Sequence, residues 1–327
     1  MNTIFSAIAF SRFARQTATQ IVCLCLLACL ANTAFARRPD CRSTATGDLH
    51  VEHLASRIFP GDHVLRVWLP PGYSDPANSQ RAYSVLYMLD GQNLFDVCPS
   101  MNDDEWQMDE SLTRLIQMGK IEPIVVVGID APDDGPLRAS EYVPFADNTS
   151  PFSFDPRGSQ FPDFLITEVM PRIAAEYRIK AGRASTAVGG ASYGAIAALY
   201  ALVTQPGVFG IGLIESPWTT VGNGEFVRLT SHLTIAPLRV AVGVGDNEAT
   251  RYAKPMRKRG MDPDAFSHNL ARDAKLIAEN LQESGGTYTA VKFTEVPEGT
   301  HSEASWRARF PDEIAFLFPG DVNRRAK

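Results

Sequence analysis

The chain contains 327 residues, of which 45% are hydrophobic, 21% are charged and 9% are aromatic. This balance supports a packed core and excludes the disordered, collagenous and low-complexity classes of protein. The net charge of −6 argues against a nucleic-acid partner, because proteins that bind nucleic acid usually present a basic face.

The N-terminal segment has the pattern of a secretory signal peptide. Positively charged residues precede the apolar run 21–30, and the small-x-small sequence Ala34-Phe35-Ala36 follows it. A helix that spans a bilayer needs about 20 apolar residues, so this run predicts no stable membrane span. We therefore expect residues 1–36 to be a cleaved signal peptide and the protein to be periplasmic or secreted. Leu27-Ala28-Cys29 resembles a lipobox, which leaves a lipoprotein open as an alternative.

The cysteines are consistent with export. After cleavage the chain keeps Cys41 and Cys98, an even number of thiols for an oxidising compartment. We predict a disulfide between them that joins the N-terminal tail, residues 37–49, to a surface loop; two unrelated free thiols are the alternative. The sequence contains neither a CxxC pair nor an HExxH motif, so we expect no metal site and no cofactor.

Short apolar strands alternate with amphipathic helices along residues 50–319. The predicted strands are 66–72, 83–89, 124–129, 186–190, 208–214, 238–244 and 288–296. The predicted helices are 106–118, 164–177 with a kink at Pro171, 195–203, 265–283 and 303–318. Residues 130–162 are rich in Pro, Asp and Ser and are predicted to form a surface excursion. The alternation predicts one α/β domain over 50–319, with a mostly parallel sheet covered on both faces, and a C-terminal tail at 320–327.

A serine between two glycines lies where a predicted strand meets a predicted helix. The sequence Gly190-Ala191-Ser192-Tyr193-Gly194 matches G-x-S-x-G, whose glycines permit a sharp turn that lifts the serine hydroxyl above the sheet. The following helix presents its N-terminus there, which stabilises developing negative charge. The pattern favours Ser192 as a nucleophile over an ordinary structural turn.

A nucleophilic serine needs a histidine base. Where the serine lies in a G-x-S-x-G turn, the acid and then the histidine follow it along the chain. His268 falls within a predicted helix, and His232 precedes a strand at the opposite edge of a parallel sheet. His301 follows the strand 288–296, at the carboxyl edge where Ser192 is also expected. The sequence therefore favours His301 as the base.

The acid that orients such a histidine is expected after an intervening strand. The strand 238–244 leads into Gly245-Asp246-Asn247-Glu248, and either carboxylate could accept the imidazole N–H and fix its tautomer. Position alone leaves Asp246 and Glu248 as alternatives.

Acyl transfer also needs donors for the oxyanion of the tetrahedral intermediate. The backbone N–H of Tyr193, at the head of the predicted helix, is one candidate. The turn Asp90-Gly91-Gln92 follows another strand at the same edge, so the backbone N–H of Gln92 is the second. A simple turn at Asp90-Gly91 is the alternative.

Several segments together resemble one family, in the order in which they occur in the chain. They are Val67-Trp68-Leu69-Pro70-Pro71-Gly72-Tyr73, Leu86-Tyr87-Met88-Leu89-Asp90-Gly91-Gln92-Asn93-Leu94-Phe95, Ile124-Val125-Val126-Val127-Gly128-Ile129, the serine turn, Glu215-Ser216-Pro217, and Gly299-Thr300-His301-Ser302-Glu303-Ala304-Ser305-Trp306. The chain resembles the putative-esterase family of α/β-hydrolases over residues 50–319. That family includes feruloyl and acetyl-xylan esterases, enterochelin-type siderophore esterases and mycolyltransferases.

The resemblance implies an α/β-hydrolase fold and a role for each candidate residue. It implies Ser192 as nucleophile, His301 as base, Glu248 as acid at the end of a G-x-x-[D/E] turn, and Gln92 and Tyr193 as oxyanion donors. We expect an exported serine carboxylic-ester hydrolase that forms an acyl-enzyme on a small-molecule or carbohydrate ester, of the carbohydrate-linked or siderophore type. An acyltransferase and a non-catalytic ligand-binding protein of this fold are the alternatives. The basic run 251–259 after the acid is either a contact for an anionic substrate or a solvated loop.

Overall fold

The computed structural model describes residues 40–147, 150 and 153–320. The predicted signal peptide at 1–36 lies outside the described residues, and of the predicted C-terminal tail only Gly320 is described. The chain divides into two compact units between Arg42 and Ser43. In the first unit residues 40–42 are described, and Cys41 is disulfide-bonded. All strands and helices given below belong to the second unit.

One sheet runs through the second unit. Its strands are β1 (Asp48–Ala55), β2 (Asp62–Leu69), β3 (Ser84–Leu89), β4 (Ile124–Ile129), β5 (Thr186–Ala191), β6 (Ile211–Glu215), β7 (Arg239–Gly245) and β8 (Ala290–Val296). They lie in the order β1-β2-β4-β3-β5-β6-β7-β8. β2 pairs antiparallel with both β1 and β4, and the remaining pairs are parallel. The predicted mostly parallel α/β architecture is therefore confirmed.

Helices cover the sheet on both faces. They are α1 (Met108–Gln117), α2 (Gly135–Tyr142), α3 (Phe161–Phe164), α4 (Met170–Glu176), α5 (Tyr193–Thr204), α6 (Glu225–Thr230), α7 (Ala253–Lys258), α8 (Pro263–Gly285) and α9 (Glu303–Leu317). Alternate residues of β3 show the two layers: Val85 and Tyr87 pack in one core with α5 and α8, and Leu86 and Met88 pack in the other with α1 and α9. A strand buried on both faces must be apolar throughout, which is why its sequence shows no alternation.

Two helical regions differ from the sequence prediction. The predicted surface excursion at 130–162 contains α2, which begins after Asp134; the Asp134 side chain accepts a hydrogen bond from the Leu137 backbone N–H. The helical region predicted over 164–177 begins three residues earlier, at Phe161, the first residue of α3. A wider π-helical turn, Leu165–Val169, joins α3 to α4 just before Pro171. Such a turn accommodates a proline, which lacks the N–H that a regular helix would use there.

The sequence did not predict the edge strand β1. It begins at Asp48, inside the predicted tail 37–49, and all of its residues are exposed or half-buried. An edge strand with polar and charged side chains on both faces lacks the apolar run that identifies a buried strand.

Among the helices of residues 40–147, 150 and 153–320, none is both long enough and apolar enough to cross a bilayer.

Candidate active site

A sharp turn joins β5 to α5 and carries Ser192. The backbone of Ser192 has φ 60° and ψ −124°, an unusual conformation for a residue with a side chain. The turn is tight enough that a Cβ on Gly190 would lie 2.7 Å from the carbonyl carbon of Gly194. The Ser192 backbone N–H donates to Glu215 O at 3.0 Å, which ties the turn to the end of β6. Ser192 therefore stands at the carboxyl edge of the sheet, at the N-terminus of a buried helix.

The loops after β7 and β8 bring a carboxylate and an imidazole together. His301 Nδ1 lies 2.7 Å from Glu248 Oε2, and both side chains are buried. The loops approach closely through a pair of glycines: a Cβ on Gly245 would lie 2.0 Å from Gly299 O, and the Asn247 N–H donates to that oxygen at 3.0 Å. Glycine is needed at this contact, because a larger residue would separate the two loops.

Glu248 is surrounded by hydrogen-bond donors. Its Oε1 accepts from the Ser216 hydroxyl at 2.7 Å and from the Gly245 backbone N–H at 2.6 Å. Burial raises the pKa of Glu248, but the hydrogen bond and charge of His301, with the donors Ser216 and Gly245, outweigh it and leave the pKa below its ordinary value. Glu248 is thus an ionised carboxylate that can stabilise an imidazolium.

Aromatic neighbours surround the His301 ring, and one of its two nitrogens contacts Glu248. Its centroid lies 5.1 Å from that of Trp218, 5.2 Å from that of Trp306 and 5.9 Å from that of Tyr252, all near edge-on. Nδ1 faces Glu248, while Nε2 is buried and has no hydrogen-bond partner among the described residues. Nε2 is therefore the nitrogen placed to exchange a proton with a ligand or a nucleophile.

A cavity of about 250 Å³ opens beside Ser192. Its walls are mostly aromatic and thioether side chains, together with two arginines: Arg138, Tyr193, Trp218, Tyr252, Pro255, Met256, Arg259, Met261 and Phe266. Trp218 and Tyr252 contact both this cavity and the His301 ring, so they connect the serine side of the site to the histidine side.

Arg138 is fixed in the cavity wall by a buried carboxylate. Its Nε and Nη2 donate to the two oxygens of Asp90 at 2.7 and 2.8 Å. The guanidinium also lies over the rings of Tyr142 and Tyr193, at 5.2 and 5.6 Å from their centroids. The pair with Asp90 keeps the pKa of Arg138 above its ordinary value despite burial, so the group stays charged.

The two predicted oxyanion donors follow the ends of neighbouring strands, β3 and β5. Tyr193 is the first residue of α5, so its backbone N–H has no partner within the helix. Gln92 lies in the short 3₁₀ turn Gly91–Asn93 after β3, the sheet neighbour of β5. The Gln92 side chain is buried and accepts from the Ala131 backbone N–H at 3.0 Å, which fixes the turn against the end of β4.

A sequence model of the family described as "Putative esterase" matches residues 56–317. The chain belongs to this family. It is a carboxylic-ester hydrolase.

Solved structures have the same fold. The siderophore hydrolase EstA from Aspergillus nidulans superposes with a TM-score of 0.65 at 20% identity, covering 83% of this chain and 95% of that one. The IroE-like serine hydrolase from Shewanella oneidensis gives 0.63 at 21% identity, with 83% and 80% covered. The ferulic acid esterase AmCE1/Fae1A from Anaeromyces mucronatus gives 0.56 at 20% identity, with 88% and 95% covered. These likenesses agree with the α/β-hydrolase fold and with the family that the sequence motifs resembled.

Several sequence candidates lie apart from this esterase's polar centre. Asp246, the alternative acid, is exposed, and its Oδ1 accepts from the Glu298 backbone N–H at 2.7 Å. His232 and His268 are both exposed. The structure therefore places only Glu248, of the two alternative acids, against His301.

Two other predictions concern cysteines and charges. Cys98 is disulfide-bonded, as is Cys41; their pairing with each other stays a prediction. In the basic run, Arg259 lines the cavity, whereas Arg251 donates to Asn102 Oδ1 at 2.6 Å. No cluster of three or more His, Cys, Asp or Glu side chains suited to a metal occurs in residues 40–147, 150 and 153–320.

Sequence reasoning missed two side chains of the site. Arg138 lies in the predicted surface excursion, and no local signal links it to Asp90. Ser216 was noticed only as part of the motif after β6, although a serine that directly follows a buried strand at the carboxyl edge is a usable signal.

Proposed function

We propose that this esterase is an exported serine hydrolase in which Ser192, His301 and Glu248 form a catalytic triad. The observation that carries the proposal is the buried contact between His301 Nδ1 and Glu248, which leaves Nε2 unpartnered in the site that holds Ser192. Glu248 would fix the tautomer and orientation of the ring and stabilise the imidazolium that forms during turnover.

The proposed reaction has two half-reactions. Ser192 Oγ bonds to the ester carbonyl carbon as its proton moves to His301 Nε2, and the backbone N–H groups of Tyr193 and Gln92 donate to the oxyanion. The bond between carbon and the alcohol oxygen then breaks, and that oxygen takes the proton from His301. A water molecule next attacks the acyl-enzyme and gives a proton to His301 Nε2. Release of the acid returns this proton to Ser192.

We infer that the substrate is an ester of an aromatic acid, carried on a carbohydrate or siderophore-type alcohol. The cavity walls support this inference, because aromatic and methionine side chains suit a flat apolar acyl group. The volume of about 250 Å³ lies near the lower end of ligand pockets, which suits one ring better than a whole oligosaccharide. The similar structures include a siderophore hydrolase, whose name fits a siderophore-type ester, and a ferulic acid esterase, whose name fits an ester of an aromatic acid.

The test measures hydrolysis of acetyl, feruloyl, catecholate and aryl butyrate esters by the wild-type protein and by the Ser192→Ala variant. We expect kcat/KM to fall by about 10³-fold or more, with the melting temperature almost unchanged. Ser84→Ala is the matched control, since its buried hydroxyl donates to Glu122 at the opposite edge of the sheet. Unchanged turnover in Ser192→Ala, or failure of a fluorophosphonate to label Ser192 in the folded protein, would contradict the proposal.

Export is tested separately. We propose that the mature protein begins at residue 37, on the basis of the signal-like pattern at 1–36. N-terminal sequencing of the protein from the periplasm or medium is expected to give this start. Recovery of uncleaved protein in the cytoplasm would overturn the export proposal and leave the triad proposal untouched.

A further inference from the structure

Ser216 occupies an unusual position directly behind the proposed acid. It follows the last residue of β6, is fully buried, and has φ 44°, in the left-handed region that favours glycine. Its backbone N–H donates to Gly243 O at 2.7 Å, so the turn is held against β7. A non-glycine residue keeps this conformation only when its surroundings hold it there, and the side-chain contacts of Ser216 are part of those surroundings.

The Ser216 hydroxyl has three hydrogen-bond partners. Trp306 Nε1 and Arg309 Nη2, both from α9, lie 2.9 and 3.2 Å from Ser216 Oγ. Glu248 Oε1 lies 2.7 Å from the same oxygen. A tryptophan N–H and a guanidinium can only donate, and an ionised carboxylate can only accept.

These roles fix the direction of the hydroxyl. A serine oxygen has two acceptor positions and one hydrogen. The donors Trp306 and Arg309 occupy both acceptor positions, so the single hydrogen must point to Glu248. The hydroxyl therefore cannot rotate to accept from another group, as an isolated serine could.

We propose that Ser216 is a positioning residue for catalysis, which holds the Glu248 carboxylate so that its other oxygen faces His301 Nδ1. This inference rests on the proposed triad and adds a residue to it. Ser216 touches neither the substrate nor the reacting atoms; it acts through Glu248. The chain Trp306–Ser216–Glu248–His301 joins α9 to both loops of the site through three hydrogen bonds.

The charges around Glu248 are consistent with this role. Arg309 forms a buried ion pair with Glu215, through Nε at 2.8 Å and through Nη2. Burial and the neighbouring Glu215 raise the pKa of Glu313 well above its ordinary value, so Glu313 stays neutral beside this pair. Within this pair the positive charge of Arg309 is balanced by the carboxylate of Glu215.

Tyr252 is another titratable group near the acid, and burial raises its pKa, which keeps the phenol neutral. Asp246, two residues before Glu248, and the buried Glu303, at the start of α9, are further carboxyl groups near the site. His301, in direct contact with Glu248, is the group that gains and loses a charge in the proposed reaction.

The experiment compares Ser216→Ala with Ser216→Gly, which both remove the hydroxyl, while glycine also relieves the left-handed backbone. We expect both variants to lower kcat by about 10- to 100-fold, the scale of losing one hydrogen bond to a charged group, with KM changed less than about twofold. The acid limb of the kcat/KM profile should move to higher pH by about one unit. The acid limb reports protonation of the proposed base, His301. Without the hydroxyl, the negative charge of Glu248 is less well stabilised and attracts a proton on the neighbouring imidazole more strongly.

A double-mutant cycle separates positioning from packing. Trp306→Phe keeps an aromatic ring beside His301 but removes the N–H that orients Ser216. It should lower kcat in the wild-type background and have less than about a twofold effect in the Ser216→Ala background, because the two changes break the same chain. Ser84→Ala, which removes a buried hydroxyl from a distant glutamate, should alter neither kcat nor the pH profile.

The outcomes distinguish this inference from the proposed function. If Ser192→Ala is inactive while both Ser216 variants keep the wild-type kcat and pH profile, the triad stands and the positioning role is overturned. A lower melting temperature in the Ser216 variants with an unshifted pH profile would also overturn the positioning role, since such a result indicates a packing role alone. Activity in Ser192→Ala would overturn the triad itself.

Discussion

Two regions of this esterase bury carboxylates, with opposite consequences for their ionisation. Glu248 receives donors from Ser216, Gly245 and His301, and its pKa lies below the ordinary value. Glu105 and Asp109 lie beneath the segment 43–46 near α1, and both have a pKa raised to about 7.

The number and charge of the donors account for the difference. Among the described residues, one side-chain donor reaches Glu105, the Thr44 hydroxyl, and Asp109 accepts from the backbone N–H and hydroxyl of Thr46. Burial is the main cause of both raised pKa values, with a further contribution from nearby carboxylates such as Glu110 beside Asp109. Burial beside other carboxylates therefore raises the pKa of a carboxyl group, whereas several donors and a neighbouring histidine lower it in spite of burial.

The largest expected effect is at Glu248, the proposed acid of the triad. Glu248→Gln replaces the carboxylate by an amide that cannot stabilise an imidazolium, so we expect kcat/KM to fall by about 10³- to 10⁴-fold. Asp246→Asn, which changes an exposed carboxylate two residues away, is the matched control and should change kcat/KM less than about twofold. Steady-state kinetics with one ester measures both. A larger loss in Asp246→Asn would transfer the role of the acid to that residue.

The second effect is on stability and its pH dependence. Between pH 4 and pH 7, an unfolded Asp109 releases its proton while the folded protein retains it, so the free energy of unfolding falls as pH rises through this window. Asp109→Asn should remove the contribution of Asp109 while that of Glu105 remains, so we expect a shallower slope and a free energy of unfolding at pH 8 that is higher by roughly 1–3 kcal/mol.

Urea denaturation at pH 5 and pH 8 measures this slope. The exposed residue Asp312 supplies a control, since Asp312→Asn should leave the slope as it is in the wild type. An equal slope in Asp109→Asn and the wild type would show that Asp109 is ionised in the folded protein.

The smallest effect is expected at Thr44. Its hydroxyl donates to Glu105 and accepts from the Val97 backbone N–H at 2.9 Å. Thr44→Val removes both interactions and should lower the free energy of unfolding by about 1 kcal/mol, whereas Thr44→Ser keeps the hydroxyl and should cost less. Thermal denaturation compares the two variants. If they were equally stable, the Thr44 hydroxyl would contribute nothing to holding the segment 43–46.

Much of the fold could be predicted because short segments of the chain carry their own signals. The buried strand β4 was predicted with its observed bounds, Ile124–Ile129, since an apolar run of that length has few alternatives. The polar edge strand β1 was not predicted, because its residues carry no apolar run. Arg138 was missed because its partner Asp90 lies 48 residues earlier, and that contact exists only in the folded chain.

By itself, the sequence determined the strand–helix alternation, the serine turn at Ser192 and the histidine after the last strand. Each depends on neighbours within a few residues, as the glycines around Ser192 show. The residues by themselves left Asp246 and Glu248 open, and the family resemblance implied Glu248. The tertiary structure places Glu248 against His301, and it alone decided that Ser216 stands behind Glu248. Both results depend on how the loops after β7 and β8 pack against α9. Contacts between segments so far apart in the chain cannot be predicted from a local sequence pattern.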